Sequence, residues 1–240
     1  MHKFNFLFLI LVQVIFVGPL KAKDDVMNDH ILNAKQKSLV AIAAFTALGD
    51  MENLPKELNT GLDAGLTINE IKEVLVHLYA YCGFPRSIRG LQTFMSVLDE
   101  RKADGINDEW GAEASKISNE NTKYERGKAN LEELTGASQD GPKKGYAEFS
   151  PEIEVFLKEH LFADIFERDV LTYEEREIVT VSVLISLGGL EPMLRGHMNI
   201  CLNLGLLSEQ LEQVIDIISK KVDEEKAAAA KSVLIEIINR

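Results

Sequence analysis

The sequence is poor in cysteine, with two in 240 residues, and holds six prolines and a single tryptophan. Two thiols cannot staple a disulfide-built fold, so a core must come from apolar side chains, and 46% hydrophobic content over this length supplies one. Basic charge is also short. Lysine and arginine number 26 against 38 acids, a net charge of -12, and no block of cations offsets it. That excludes binding nucleic acid or an anionic membrane through a broad surface. A small anionic substrate needs a local basic pocket instead. Sustained period-two alternation is missing as well, and with it the pattern of a sheet.

Long apolar runs are scarce too. One stands at the start, from Phe4 to Val17, preceded by His2 and Lys3 and followed by Gly18 and Pro19. It is too short for a comfortable membrane span, and the chain turns polar after Ala22, so residues 1–22 read as a signal peptide. The expectation is an exported protein, periplasmic or secreted, with no stable membrane insertion after cleavage. Loss of Lys3 and Lys21 takes the net charge from -12 to -14. No cysteine stands directly after the run, so a bacterial lipid anchor is not indicated. An oxidising compartment permits a disulfide between Cys82 and Cys201, but spacing alone does not show that the two meet.

What is present is a repeat. "ELNTGLDAGLTINEIKEVL" from Glu57 aligns with "HMNICLNLGLLSEQLEQVI" from His197, and Gly65 matches Gly205 at an offset of 140. Upstream, "KSLVAIAAFTALGD" from Lys37 aligns with "REIVTVSVLISLGG" from Arg176 at an offset of 139. Leu39, Ile42, Ala43 and Thr46 form one stripe at helical spacing, and Ile71, Val74, Leu75 and Leu78 another. Gly65 and Gly205 fall where a helix ends and the chain turns, a place that favours positive φ. Thr67 with Glu70 has the pattern of a capping box. The first repeat is placed at residues 30–105, a linker at 106–121, and the second repeat at 122–240. Within the second, Tyr124 to Leu134 reads as a helix and "GASQDGPKKGYAEFSP" as a long loop.

The residues "GLDAGLTINEIKEVLVHLYAYCGFP" resemble the signature of the carboxymuconolactone decarboxylase family, and "YERGKANLEELTG", "FLKEHLFADIFERDVLTYEEREIVTVSVLISLGG" and "HMNICLNLGL" resemble it in the same order. The resemblance implies an all-α fold, here a tandem repeat of two helical units, and subunits that assemble into rings, hence a homo-oligomer. It implies two chemistries. One branch decarboxylates a lactone of aromatic catabolism without metal or organic cofactor. The other, alkylhydroperoxidase D-like, reduces peroxides with a Cys-x-x-Cys-x-x-x-His motif.

The residues seven and four before His197 are Leu190 and Met193, which form no thiolate; before Glu57 they are Asp50 and Asn53. His197 itself falls where both branches keep their histidine. In the decarboxylase branch that histidine handles a proton, a role suited to a neutral imidazole near pH 7. Substrate carboxylates and a developing enolate also need cations, and Arg176, Arg195 and Arg168 are the nearby candidates. The first repeat keeps "YCGFP" but has Glu57 where the histidine belongs; the second keeps His197 but has "KVDEE" where "YCGFP" belongs. Two repeats each missing what the other retains point to one composite site. The implied function is cofactor-free decarboxylation, or a related proton transfer, on a small carboxylated, lactone-like substrate. A thiol-dependent peroxidase using Cys82 and Cys201, or a non-catalytic binding module, is the alternative.

Other residues read more plainly. His197 and Cys201 are spaced i,i+4 like helical metal ligands, but no third or fourth ligand accompanies them, so no metal is assigned. Cys82 reads as a small buried thiol, Glu57 as a solvated or salt-bridged carboxylate, and His77 as structural. Pro85 can start a helix; Arg86 and Arg89 beyond it read as an anion-binding pair or a solvated one. Trp110 is expected to dock the linker onto a domain. The C-terminal helix, with Val233, Leu234, Ile237 and Ile238, is expected to pack in an interface.

Overall fold

The computed structural model describes residues 31–117 and 120–239, and the expected leader lies outside them. The first repeat is α1 (Ala34–Leu48), α2 (Leu54–Asp63), α3 (Ile68–His77) and α4 (Tyr79–Ala103). Then come α5 (Lys123–Thr135), a one-turn α6 (Tyr146–Phe149), α7 (Pro151–Phe156) and a π-helical stretch, Leu157–Ile165. The second repeat closes the chain as α8 (Tyr173–Leu187), α9 (Glu191–Asn203), α10 (Ser208–Lys221) and α11 (Glu224–Ile238). No strand occurs among the described residues. The fold is an all-α tandem repeat in which α1 to α4 correspond in order to α8 to α11.

Local chemistry sets the boundaries. Thr67 Oγ1 accepts from Glu70 N at 3.2 Å while Glu70 Oε2 accepts from Thr67 N at 2.6 Å, the reciprocal cap expected for α3. Thr172 and Glu175 open α8 in the same way. Gly65 and Gly205 end α2 and α9 at φ 91° and 98°, a region that side chains with a Cβ resist.

The two central helices depart from a simple striped reading. Ser38 to Ala47 of α1 are all buried, and so are Arg176 to Ser186 of α8. The reason is position: α1 lies along α8, and each is wrapped by the remaining helices of both repeats, so no face is left for solvent. The α3 stripe of Ile71, Val74, Leu75 and Leu78 is fully buried as its spacing predicts. The C-terminal helix turns its apolar side inward. Val233 and Leu234 join the chain's own core, leaving Ile238 about half exposed, so those two residues serve this chain and not an interface.

Between the repeats the chain is tied down by its backbone. The carbonyls of Glu109 and Trp110 accept from the first-turn N–H groups of Ile68 and Asn69 at 2.8 and 2.9 Å, supplying partners that a helix start lacks. Asn69 Nδ2 reaches the carbonyls of Gly111 and Ala112, and Arg101 pairs with Asp108 at 2.8 Å. The Trp110 ring itself stays exposed, with Lys72 Nζ 5.5 Å from its centroid, so the docking is done by main chain. Farther on, α5 packs against the π-helical stretch around a second cluster of Leu134, Leu161, Phe162, Ile165, Phe166 and Ile200.

Candidate functional site at the contact of the two repeats

Helix α8 places Arg176, Glu177 and Thr180 on its buried surface, and each is wholly inaccessible. An isolated charge in such a place is costly, so each must find a partner. Glu177 finds His197 of α9: Oε2 lies 2.7 Å from Nδ1, and the imidazole is the more exposed member at 15%. A carboxylate accepting at Nδ1 holds the proton there and leaves Nε2 with a free lone pair. The other Glu177 oxygen, Oε1, is buried with no protein partner.

The first repeat supplies the opposite wall. Tyr81, from the first turn of α4, meets the His197 ring edge-on with centroids 6.0 Å apart. Its hydroxyl is 3.2 Å from Thr180 Oγ1, and Thr180 is 2.9 Å from Nε2 of His77. Arg176 Nη1 lies 3.5 Å from Nδ1 of His77, so that nitrogen is the acceptor and the proton sits on Nε2. Burial, reinforced by the Arg176 and His197 charges, pushes the His77 pKa well below its ordinary value and keeps the ring neutral. Burial and the Glu177 carboxylate together push the Tyr81 phenol up, so it stays protonated. His77, expected to be structural, is thus the link through which a residue of α3 grips α8.

The three candidate arginines do not converge. Arg176 and Arg168 share one carboxylate: Glu73 Oε1 is 2.7 Å from Arg176 Nη2, and Glu73 Oε2 is 2.9 Å from Arg168 Nη2. Arg176 is sealed in the core, whereas Arg168 keeps 38% of its side chain exposed. Arg195 pairs with Glu236 of α11 instead, on a side of α9 committed to the C-terminal helix. Glu73 and Glu177 escaped sequence reasoning. The available signal was an acid adjoining a run of apolar positions on a helix, Glu73 before "VLV" and Glu177 before "IVTVSVLISL".

The repeat relation exposes a second, degenerate copy of the site. Glu57 stands in the place of His197 and Lys221 in that of Tyr81, and the two form an ion pair of 2.5 Å. Ser38 stands for Glu177 and bonds only its own helix, to the Ala34 carbonyl at 3.1 Å. Each cross-repeat contact is therefore kept, one with an imidazole and a phenol, the other as a salt bridge.

Both thiols are free. Burial pushes Cys82 up to about 11, and Cys201, wholly buried beside the Glu177 charge, is raised well above its ordinary value. Among the described residues no group of three or more His, Cys, Asp or Glu side chains is arranged to hold a metal ion, and no helix is long and apolar enough to cross a membrane.

A profile of the carboxymuconolactone decarboxylase family matches residues 20–94 and 151–236, one match to each repeat. The chain belongs to that family. An uncharacterized protein of Methanocaldococcus jannaschii is 27% identical over 77 residues, 32% of this chain and 72% of the relative. Membership places this chain with the carboxymuconolactone decarboxylase and alkylhydroperoxidase-like proteins, and within that group it lacks the Cys-x-x-Cys pair at Leu190 and Met193.

Proposed function

We propose that the composite site carries out a cofactor-free proton transfer, decarboxylation or a related reaction, on a small carboxylated, lactone-like molecule. The observation that carries this reading is the buried Glu177–His197 dyad, with its 2.7 Å contact at Nδ1 and its unsatisfied Oε1. In this reading Nε2 of His197 removes a proton from a carbon acid, or returns one to the carbanion left when carbon dioxide departs. Glu177 sets the tautomer and stabilises the imidazolium. An unpartnered buried carboxylate oxygen costs more than the ~1–3 kcal/mol of a neutral group, a cost offset when a substrate hydroxyl or a water donates to it.

Arg168, at the exposed edge of the cluster with Glu73 and Arg176 and with Glu113 and Asp169 also near it, is the cation of this cluster within reach of a substrate carboxylate. Arg195 has no part in this reading. The thiol alternative is disfavoured by the raised pKa values of both cysteines, because the thiolate is the reactive form. Export belongs to the proposal too: N-terminal sequencing of the secreted protein should begin at Lys23.

The test is turnover and solvent-deuterium incorporation, followed by NMR on a panel of carboxylated lactones. The wild-type chain is compared with His197→Ala and Glu177→Gln. His197→Ala is expected to lose at least about 100-fold in kcat/KM. A rate that survives His197→Ala overturns the assignment, as does a complete lack of turnover and exchange in the wild type.

A further inference from the structure

The connection from Gly136 to Ser150, between α5 and α7, has no part in the composite site. A connection this long is uncommon in a compact domain unless it is functional or disordered, and this one is fastened along its course. Gln139 N donates to Glu132 at 2.7 Å, Lys128 pairs with Asp140 at 2.6 Å, and Lys143 reaches Glu154 of α7 at 2.8 Å. Between the loop and the helices lies a cavity of about 260 Å³ with two buried charges on its wall, Glu154 and Lys158. Glu154 collects three donors: Oε1 accepts from Lys158 Nζ at 2.5 Å and from the Tyr124 hydroxyl at 2.9 Å, and Oε2 accepts from Lys143. One carboxylate thus answers two ammonium groups. Of the three N–H donors of Lys158, Glu154 and the Tyr124 oxygen take two, which leaves one unused. Lys144 lines the same cavity and has no ion pair among the described residues.

We propose that this cavity binds a small organic carboxylate, at a site separate from the Glu177–His197 dyad. Three lysines and one acid line it, in a chain whose net charge is -12. The acids on its flank, Glu132 and Asp140, are both engaged by Lys128, so the balance stays positive when all three are counted. Lys143, Lys144 and the remaining Lys158 donor would hold the carboxylate, and its charge would complete that of Glu154. Leu131, Leu157 and the ring of Tyr146 make the rest of the wall apolar, which favours an anion with an apolar body over bare phosphate. The volume lies below the ~300–1,000 Å³ of pockets for drug-sized ligands, so the occupant is small. None of the lining side chains belongs to the composite site.

Titration of the purified chain with benzoate, followed by calorimetry and by backbone amide NMR, tests the proposal. Saturable binding is expected at millimolar benzoate, with shifts at the amides of Gly141, Lys144 and Ala147. Benzamide, of the same shape but uncharged, and inorganic phosphate are each expected to bind at least about tenfold more weakly. Lys144→Ala, which removes an exposed side chain and keeps helical circular dichroism, is expected to weaken benzoate about tenfold, and Lys143→Ala/Lys144→Ala more. Tyr146→Ala is expected to weaken benzoate and leave phosphate unchanged. Absence of binding to the wild type, wild-type affinity in Lys143→Ala/Lys144→Ala, or equal affinity for benzamide overturns the proposal, and equal affinity for phosphate overturns the ligand class. His197→Ala and Arg168→Ala are expected to bind benzoate as the wild type does. Loss of binding in either would put the benzoate in the composite site and overturn the proposal while leaving the proposed chemistry standing.

Discussion

Acid should destabilise this protein through one histidine before it reaches any carboxylate. His77 is wholly buried, and the groups that face it are Arg176 and Thr180 of α8, Tyr81 of α4, His197 of α9, the Phe166 ring and, one turn back on its own helix, Glu73. Protonation at Nδ1 would point a second donor at the Arg176 guanidinium 3.5 Å away, and Glu73 is already shared by two arginines. The folded pKa is therefore depressed well below the ordinary value of 6.5, by burial first and by the Arg176 and His197 charges next. In the unfolded chain His77 titrates near 6.5. Below that pH the unfolded state binds a proton that the folded state refuses, so the contribution is fully present above pH 6.5 and declines as pH falls. The slope approaches about 1.4 kcal/mol per pH unit below pH 6.5 for as long as the folded ring stays neutral.

Urea unfolding followed by circular dichroism at pH 7.5, 6.5, 5.5 and 5.0 measures this directly. The comparison is with His77→Gln, which cannot titrate but can still donate toward Thr180. The variant is expected to be less stable at every pH, yet flatter between pH 6.5 and 5. Glu154 acts in another window. Burial opposes its ionisation, but hydrogen bonds from Lys143, Lys158 and Tyr124 outweigh that and hold it at about 2, so its contribution is lost only as pH falls below about 4.5. Identical pH slopes for wild type and His77→Gln between pH 6.5 and 5 would refute the reasoning.

Three further outcomes are expected. Cys82, with its pKa pushed up to about 11, carries about one thiolate in a thousand at pH 8, and Cys201 is sealed, so the folded protein should react with a thiol reagent orders of magnitude more slowly than the urea-unfolded chain; fast native labelling would contradict this. Gly127→Ala should cost at least about 2 kcal/mol in denaturant unfolding, because an added Cβ would sit 1.8 Å from the Lys158 carbonyl oxygen where α5 meets the π-helical stretch. Lys221→Ala, which breaks a pair whose lysine is 43% exposed, should cost no more than about 1 kcal/mol and leave any His197-dependent rate unchanged; a loss of turnover would show that the two copies of the site are coupled.

The architecture was legible because its signals are local. Gly65, Gly205, Thr67 and Glu70 announce turns and caps by chemistry within four residues, and a duplicated pattern at offsets of 139 and 140 announces the repeat. Burial of α1 and α8 on every side was not legible, since helical periodicity reports one apolar stripe and says nothing of how many neighbours a helix acquires. The site was legible in part for the same reason. His197 stands out beside a motif, but its partner Glu177 lies twenty positions upstream on a different helix, and Tyr81 comes from the other repeat. Arg195 is two residues from His197 in sequence yet faces Glu236, because neighbours two apart on a helix point in different directions. A terminal apolar run such as Val233 to Ile238 looks the same whether it packs within the chain or against another copy; its place beside α9 and α10 decides.

Desolvation explains why two such similar halves differ where they meet. Glu177 and its counterpart Ser38 both sit on the central helix pair, where an ionised carboxylate loses several kcal/mol of hydration even after relaxation. A second glutamate at position 38 would incur that cost again and place a like charge in the same core. A serine that bonds its own helix avoids both. With no buried acid to orient a histidine, the mirrored position has no use for an imidazole, and Glu57 closes the contact through Lys221, whose ammonium group stays near water. The asymmetry follows from confining one expensive carboxylate to one side of a twofold core. It predicts that Ser38→Glu, added to Glu57→His and Lys221→Tyr to rebuild the matching dyad, leaves the chain less stable than those two outer substitutions alone, and a triple variant as stable as that pair would argue against it.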